Sequence, residues 1–149
     1  MPEIKLIVVG VDGSDSSRAA LEWAYDEAAH HGASLTVVNA WHRAPLSMAP
    51  GYGSPPPGDP RDYESQPKQE ALQLLEQFTS QLVPRTPAVD VRTSTEEGKN
   101  PAEVLIKRSE EADLVVVGSR GHGGFMGMLL GSVSQHLVAH ASCPVVVVR

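Results

Sequence analysis

The sequence has one cysteine, few aromatic residues and no excess of positive charge. Cys143 stands alone among 149 residues, so one copy of the chain can form neither a disulfide nor a cysteine-based metal cluster. The formal net charge is −6 at pH 7, and the basic residues form no stripe of the kind that binds phosphate backbones. We therefore expect no binding to nucleic acid.

Long hydrophobic runs are also lacking. The apolar stretch near the start, residues 6–11, is too short for the core of a signal peptide. No other segment is long and apolar enough to span a bilayer. These absences predict a cytoplasmic protein without membrane contact, and the length suits a single domain.

The chain does contain short apolar runs that alternate with segments of helical periodicity. Runs that are apolar throughout are typical of strands covered on both faces, as in a parallel sheet. The clear runs are 4–11, 34–41 and 112–119, with a weaker strand at 88–96 and a fifth strand at 144–149. The order βαβαβαβαβ predicts an α/β fold, a doubly wound five-stranded parallel sheet with helices on both faces.

One stretch breaks the pattern of short connections. Residues 42–67 are rich in proline and glycine and are longer than the usual loop between a strand and a helix. This length is compatible with a flexible connection and also with a lid over a ligand, since long loops in compact domains are often functional. The sequence leaves both interpretations open.

A glycine-rich turn after the fourth predicted strand is the main candidate for a binding site. In a doubly wound sheet, ligands bind beyond the carboxyl ends of the strands where the winding reverses, here between the first and fourth strands. Glycines there let the backbone approach a ligand, and successive N–H groups form an anion-binding concavity. Ser132 lies at the start of the last helix, whose N-terminus favours phosphate. We expect a ligand that carries phosphate.

The common catalytic phosphate motifs are absent from this turn. No Gly-Lys-Ser/Thr occurs, and Met126 stands where the dinucleotide motif would need its third glycine. A receiver domain is disfavoured because the third strand ends in TSTEEG, without an aspartate to phosphorylate. With no lysine behind the glycines and no evident base, we expect a binding protein rather than an enzyme, in which any ATP hydrolysis is slow.

The glycines follow another spacing. Gly118, Gly121 and Gly131 followed by Ser132 are spaced in a way that resembles the nucleotide-binding motif of the universal stress protein family, specifically its ATP-binding branch. The opening VDGSDSSRAALEWA and the closing CPVVVVR also look like that family, so the resemblance covers nearly the whole chain. It implies one domain over residues 1–149, with a Rossmann-like fold of the adenine nucleotide alpha hydrolase type.

The resemblance also implies a site, residue by residue. The adenine would lie at the ends of the first two strands, the ribose and α-phosphate at the glycine turn, and the remaining phosphates at the last helix. These three groups are Gly10, Val11, Asp12 and Ala40; Val117, Gly118, Arg120 and Gly121; and Gly131, Ser132, Val133 and Ser134. ATP is the implied ligand, with cAMP or AMP as alternatives, because glycine spacing does not distinguish one phosphate from three.

Asp12 has two compatible roles at this stage. A carboxylate beside phosphate oxygens is a normal ligand of Mg²⁺. Alternatively, Asp12 or Asp15 caps the following helix, since aspartate is a preferred N-cap residue.

The last predicted strand, 144–149, suggests a partner. It is apolar on both faces, and at a sheet edge its unpaired backbone groups would invite a second copy related by two-fold symmetry. The resemblance likewise implies a homodimer through this strand, acting as a regulatory module in the stress response.

Overall fold

A parallel sheet lies between two pairs of helices in this chain. The computed structural model describes residues 2–42, 60–82, 85, 87–121 and 130–149, with only the backbone for 60–64. The strands are β1 (Leu6–Gly10), β2 (Ser34–Trp41), β3 (Val91–Glu97), β4 (Leu114–Gly118) and β5 (Val145–Val148). The helices are α1 (Asp15–His31), α2 (Pro60–Ser80), α3 (Pro101–Ser109) and α4 (Ser132–His140).

The strands lie in the order β3-β2-β1-β4-β5 and all neighbours are parallel. The winding reverses between β1 and β4, which pair in register at Val8 and Val115. The predicted α/β fold with a five-stranded parallel sheet is confirmed. β3 begins at Val91, later than the predicted residue 88.

Alternate residues of the central strands fill two separate cores. Ile7 and Val9 of β1 pack with Leu21 of α1 on one face, in a cluster that also includes residues of α2. Val8 points to the other face and packs in a cluster with Leu137 of α4. Because both faces of β1 are buried, its sequence is apolar at every position rather than at alternate ones.

Two helix boundaries follow the sequence signals. α1 ends at His31, and the C-cap residue Gly32 has φ +66°, a left-handed conformation suited to glycine. α3 begins after Asn100, whose side chain accepts the N–H of Ala102 at 2.9 Å, and Pro101 takes the first helical position. None of the helices in the described ranges is long and apolar enough to cross a membrane.

Helix α2 begins earlier than the sequence indicated. It starts at Pro60 and continues through Pro67, so the predicted loop 42–67 was wrong for residues 60–67. Pro60 is at the first helical position, where the missing N–H would have no partner in the helix, whereas Pro67 lies inside the helix and removes one of its backbone hydrogen bonds. Proline content was therefore a poor guide to the loop's end, and residues 43–59, with the question of a lid, lie outside the described residues.

The two edge strands of the sheet differ in charge. β3 carries Arg92, Glu96 and Glu97, and Glu96 accepts a hydrogen bond from Nε of Arg108 on α3 at 2.8 Å. β5 consists of four valines, all half-buried. Charged side chains on an edge strand hinder pairing with another strand, so β5 is the more receptive edge.

Candidate functional site

A cleft of about 580 Å³ opens at the carboxyl edge of the sheet, where β1 and β4 end. Its walls come from the turn after β1, the end of β2, the start of α3, the turn after β4 and the start of α4. Every site residue expected from the sequence lies in this lining: Gly10, Val11, Asp12, Ala40, Val117, Gly118, Arg120, Gly121, Gly131, Ser132, Val133 and Ser134. The fold thus brings segments that are distant in sequence to one place.

The turn between β1 and α1 is held by its own polar residues. Gly13 adopts φ +89°, which glycine does without strain. Ser14 is the N-cap of α1, and its Oγ accepts the N–H of Ser17 at 3.1 Å. The expectation that Asp12 or Asp15 caps this helix was wrong. Asp15 already belongs to the first helical turn and Asp12 precedes the cap by two residues, so the capping position falls to Ser14.

The carboxylate of Asp12 joins two walls of the cleft. Its Oδ1 accepts the N–H of Ser14 at 2.9 Å, within the turn after β1. Its Oδ2 lies beside Gly121 in the turn after β4, where a Cβ atom would come within 2.7 Å. The absence of a side chain at Gly121 therefore leaves room for this carboxylate.

The turn after β4 packs closely on the start of α1. A Cβ atom at Gly118 would lie 2.7 Å from the carbonyl carbon and 2.8 Å from the carbonyl oxygen of Ser16. The N–H of Arg120 donates to Ser16 Oγ at 3.2 Å, which fixes the next residues of the turn. Gly118 is thus required by the approach of a helix backbone, independently of any ligand.

Helix α4 begins without a side-chain cap. Gly131 occupies the N-cap position and has no side chain that could accept a first-turn N–H. The turn before it is nevertheless fixed, because Gly131 N–H donates to the carbonyl of Ser119 at 2.6 Å and Ser134 Oγ donates to the Gly131 carbonyl at 2.9 Å. First-turn N–H groups have no acceptor within a helix and carry the positive end of its dipole. They give the cleft an electropositive wall.

Other lining residues were not expected from the sequence. They are Ser17, Val38, Asn100, Pro101 and Leu105. Asn100 and Pro101 had a signal, since they start a helix that follows a strand, and such starts gather at the carboxyl edge of a parallel sheet. Leu105 had none, because its place depends on a contact across the fold: a Cβ at Gly10 would come 2.7 Å from Leu105 Cδ1.

The lining of the cleft carries little formal charge. Among the described residues there, only Asp12 and Arg120 have ionisable side chains, and Arg120 is exposed. The described residues include no cluster of three His, Cys, Asp or Glu side chains that could hold a metal ion. The cleft therefore offers backbone N–H groups, hydroxyls, one carboxylate and one guanidinium.

Known proteins similar in sequence share one family. The model of the Universal stress protein family matches residues 3–149. The chain belongs to this family. A universal stress protein of Mycobacterium tuberculosis is 38% identical over 148 residues, which are 99% of this chain and 46% of that protein. One of Mycolicibacterium smegmatis is 38% identical over 143 residues, 96% of this chain and 45% of that protein. The chain thus spans about half the length of these curated relatives.

Solved structures of universal stress proteins have the same fold. UspA from Lactobacillus plantarum is 27% identical with a TM-score of 0.72, and the match covers 100% of both chains. A universal stress protein in complex with cAMP is also 27% identical, with a TM-score of 0.61 and coverage of 99% of this chain and 98% of that one. The family and fold expected from the glycine spacing are confirmed, and the ATP-binding branch stays a prediction.

Proposed function

We propose that this universal stress protein binds an adenine nucleotide in the cleft. The observation that carries the proposal is the junction of the turn after β4 with the uncapped start of α4, made by the hydrogen bond from Gly131 to Ser119. Backbone N–H groups gathered at a helix start favour a phosphate. A relative of 27% identity has been solved with cAMP, which supports the same class of ligand.

The other end of the cleft suits a base. Gly10, Val38, Ala40, Leu105 and Val117 give it an apolar wall. Small-molecule sites typically combine such a wall with a few placed polar groups, which here belong to the turn after β1. The resemblance to the family implies that the adenine lies at the ends of the first two strands, where Gly10 and Ala40 of this wall are found, and it places Val117 beside the ribose.

ATP is the ligand we favour, with AMP and cAMP as alternatives. The described residues that we propose face the phosphates belong to the turn after β4, with Gly118, Arg120 and Gly121, and to the start of α4, with Gly131 and Ser132. A triphosphate would engage both surfaces, whereas a single phosphate needs only one of them. Competition among the three nucleotides decides between these ligands.

A magnesium ion would fit this cleft only together with the phosphates. Asp12 is the one carboxylate among the described lining residues. Mg²⁺ commonly takes one or two carboxylates, several waters and phosphate oxygens. We propose that Asp12 helps to hold Mg²⁺ when a nucleotide with several phosphates is bound.

The cleft favours binding over catalysis. Phosphoryl transfer needs a positioned base or water and neutralisation of charge on the phosphates. The described lining has no lysine or histidine, and its one carboxylate, on Asp12, is engaged by Ser14. We propose a binding protein in which ATP hydrolysis is slow, and sustained phosphate release at many turnovers per minute would contradict this.

The regulatory role we propose depends on a homodimer formed through β5. β4 carries Gly118 at its end and pairs with β5 in register from Val115 to Gly118. A ligand at the turn after β4 is therefore one strand away from the receptive edge of the sheet. We propose that nucleotide occupancy alters the stability of the dimer or its choice of partner in the stress response.

The first experiment separates a backbone N–H of α4 from the side chain beside it. Ser132→Pro removes the N–H of the first helical residue, a position where proline is well tolerated. Gly131 before it already has ψ 170°, the extended conformation that a residue before proline needs. Ser132→Ala is the matched control, because it removes only the hydroxyl.

By isothermal titration calorimetry, we expect Ser132→Pro to weaken ATP binding about tenfold and Ser132→Ala clearly less, since a hydrogen bond to phosphate is lost only in the first. Adenosine should bind equally to all three proteins. Equal ATP affinity of the wild type and Ser132→Pro would place the phosphates elsewhere. The proposal fails if the natively purified protein releases no nucleotide with acid and binds none of ATP, AMP and cAMP.

A further inference from the structure

One peptide group in the wall of the cleft is held at both ends by buried side chains. The carbonyl of Val11 accepts a hydrogen bond from Nδ2 of Asn39 at 2.7 Å. The N–H at the other end of the same peptide group, that of Asp12, donates to Ser17 Oγ at 3.3 Å. Asn39 is 7% exposed and Ser17 is 4% exposed. Two side chains removed from water thus fix the plane of a single peptide group.

This peptide group lies where β1 leaves the sheet. The N–H of Val11 still bonds to the carbonyl of Val38 on β2 at 2.9 Å, and Gly13 then turns the chain with φ +89°. Because a peptide group is planar, holding its two ends fixes the direction in which the Cα of Asp12 follows. The carboxylate of Asp12, which Ser14 holds from within the turn, is therefore also oriented by side chains of β2 and α1 outside the turn.

We infer that Asn39 and Ser17 are positioning residues for the ligand of the cleft, an inference that rests on the proposed function. By orienting Asp12 they set the position of the turn after β1 relative to the turn after β4, since Oδ2 of Asp12 lies beside Gly121. Asn39 is absent from the lining of the cleft, so its effect on the ligand passes through Val11 and Asp12. Ser17 acts from the lining itself.

Ser109 provides a matched control for the loss of a buried polar group. It is 1% exposed, its Oγ accepts the N–H of Ser142 at 2.8 Å, and it donates to the carbonyl of Ile106. It does not line the cleft. Ser109→Ala therefore removes buried hydrogen bonds as Ser17→Ala does, but at a residue outside the lining of the cleft.

We expect Asn39→Ala and Ser17→Ala each to raise the Kd for AMP about tenfold, the size of effect that losing one supporting hydrogen bond produces. Ser109→Ala should leave the Kd within about twofold of the wild type, because its hydrogen bonds go to Ile106 and Ser142 and not to the turn after β1. Titrations are run well below the Tm of each variant, so that loss of folded protein does not imitate loss of affinity. Should Asn39→Ala fail to fold, Ser17→Ala tests the inference alone, because alanine is well accepted in helix α1.

The double variant measures whether the two effects on the Kd multiply, and a general loss of stability would not change that result. Asn39→Ala combined with Ser17→Ala should raise the Kd less than the product of the two single effects, because the second change acts on a peptide group that is already released. Asn39→Ala combined with Ser109→Ala should be multiplicative. If the wild type binds AMP and Asn39→Ala binds it as tightly as Ser109→Ala does, the inference is overturned and the proposed function stands. If the wild type binds none of AMP, ATP and cAMP, both are overturned.

Discussion

At the scale of single residues, the glycines of the cleft differ in why they are glycine. Position 118 must be glycine because a Cβ there would lie 2.7 Å from the carbonyl carbon of Ser16 in α1. A Cβ at Gly131 would meet nothing closer than 3.5 Å, which is ordinary van der Waals contact. The spacing motif therefore combines a packing requirement with a surface left available for a ligand.

This difference predicts opposite effects on stability. Gly118→Ala should lower the free energy of unfolding by about 1 to 3 kcal/mol, because the added methyl group overpacks against a backbone that cannot move aside. Gly131→Ser should leave it within about 0.5 kcal/mol or raise it, since serine is a better N-cap than glycine. Urea unfolding followed by circular dichroism measures both. Equal losses in the two variants would contradict the packing argument at Gly118.

Sequence reasoning placed the site residues more securely than it assigned their roles. The family resemblance, which the glycine spacing and the flanking segments carry, implies positions directly, and the residues that it implies all lie in the cleft lining. In the stretch 12–15, three of the four residues are good N-cap residues. Which of them becomes the N-cap depends on the residue at which the chain stops pairing with β2. That residue is set by the hydrogen bond from the N–H of Val11 to the carbonyl of Val38 on β2, and a contact between distant residues cannot be predicted from a local sequence pattern.

At the scale of elements, a side chain ties the beginnings of β1 and β4 together. Asp113, just before β4, accepts the N–H groups of Lys5 and Leu6, both at 2.9 Å. These two backbone hydrogen bonds lower the pKa of the Asp113 carboxyl below its ordinary value, and the one from Lys5 has the larger effect. The ionised form is thus the one that suits the folded state.

The lowered pKa gives stability a defined dependence on pH. The contribution of Asp113 is fully present above the pKa of the unfolded chain, near 3.8, and is lost as the pH falls through the lower folded value. We predict that Asp113→Asn lowers the urea midpoint at pH 7 and that its difference from the wild type narrows between about pH 5 and about pH 3. A difference that stays constant down to the lower pH would rule out a role for the carboxylate charge.

The elements themselves were predictable to the extent that their residues are buried. β1, β2 and β4 have continuous apolar runs because helices cover both faces. β3 has exposed and half-buried residues at the sheet edge, and its start was placed too early. The first turns of α2 contain Pro60 and Pro67, which favour a loop in any local interpretation.

At the scale of the whole molecule, the proposed dimer can be tested on the backbone of β5. The carbonyl of Pro144 accepts the N–H of Val115 in β4 at 3.0 Å, and the carbonyl of Val148 accepts the N–H of Ser119, just after β4, at 2.8 Å. The backbone groups of successive residues in a strand point alternately to one neighbouring side and the other. The backbone N–H and carbonyl of Val146 therefore also point to β4, and those of Val147 point away from the sheet. Proline is tolerated in an edge strand where the lost N–H points away from the sheet.

We predict that Val147→Pro keeps the far-ultraviolet circular dichroism of the wild type but sediments as a monomer. Val146→Pro, the matched control, should lose folded structure because it removes a bond to β4. Analytical ultracentrifugation of the wild type and both variants provides the measurement. A Val147→Pro variant that still sediments as a dimer would exclude pairing through β5.

The unequal edges of the sheet also bear on what happens when many copies meet. Joining two sheets at their valine edges would leave β3, with Arg92, Glu96 and Glu97, at both outer borders. A third copy would then meet a charged edge strand, which hinders strand pairing, so assembly stops at the dimer. A strand of four valines, which by itself would be a hazard for fibril formation, thereby becomes compatible with high concentrations of the protein.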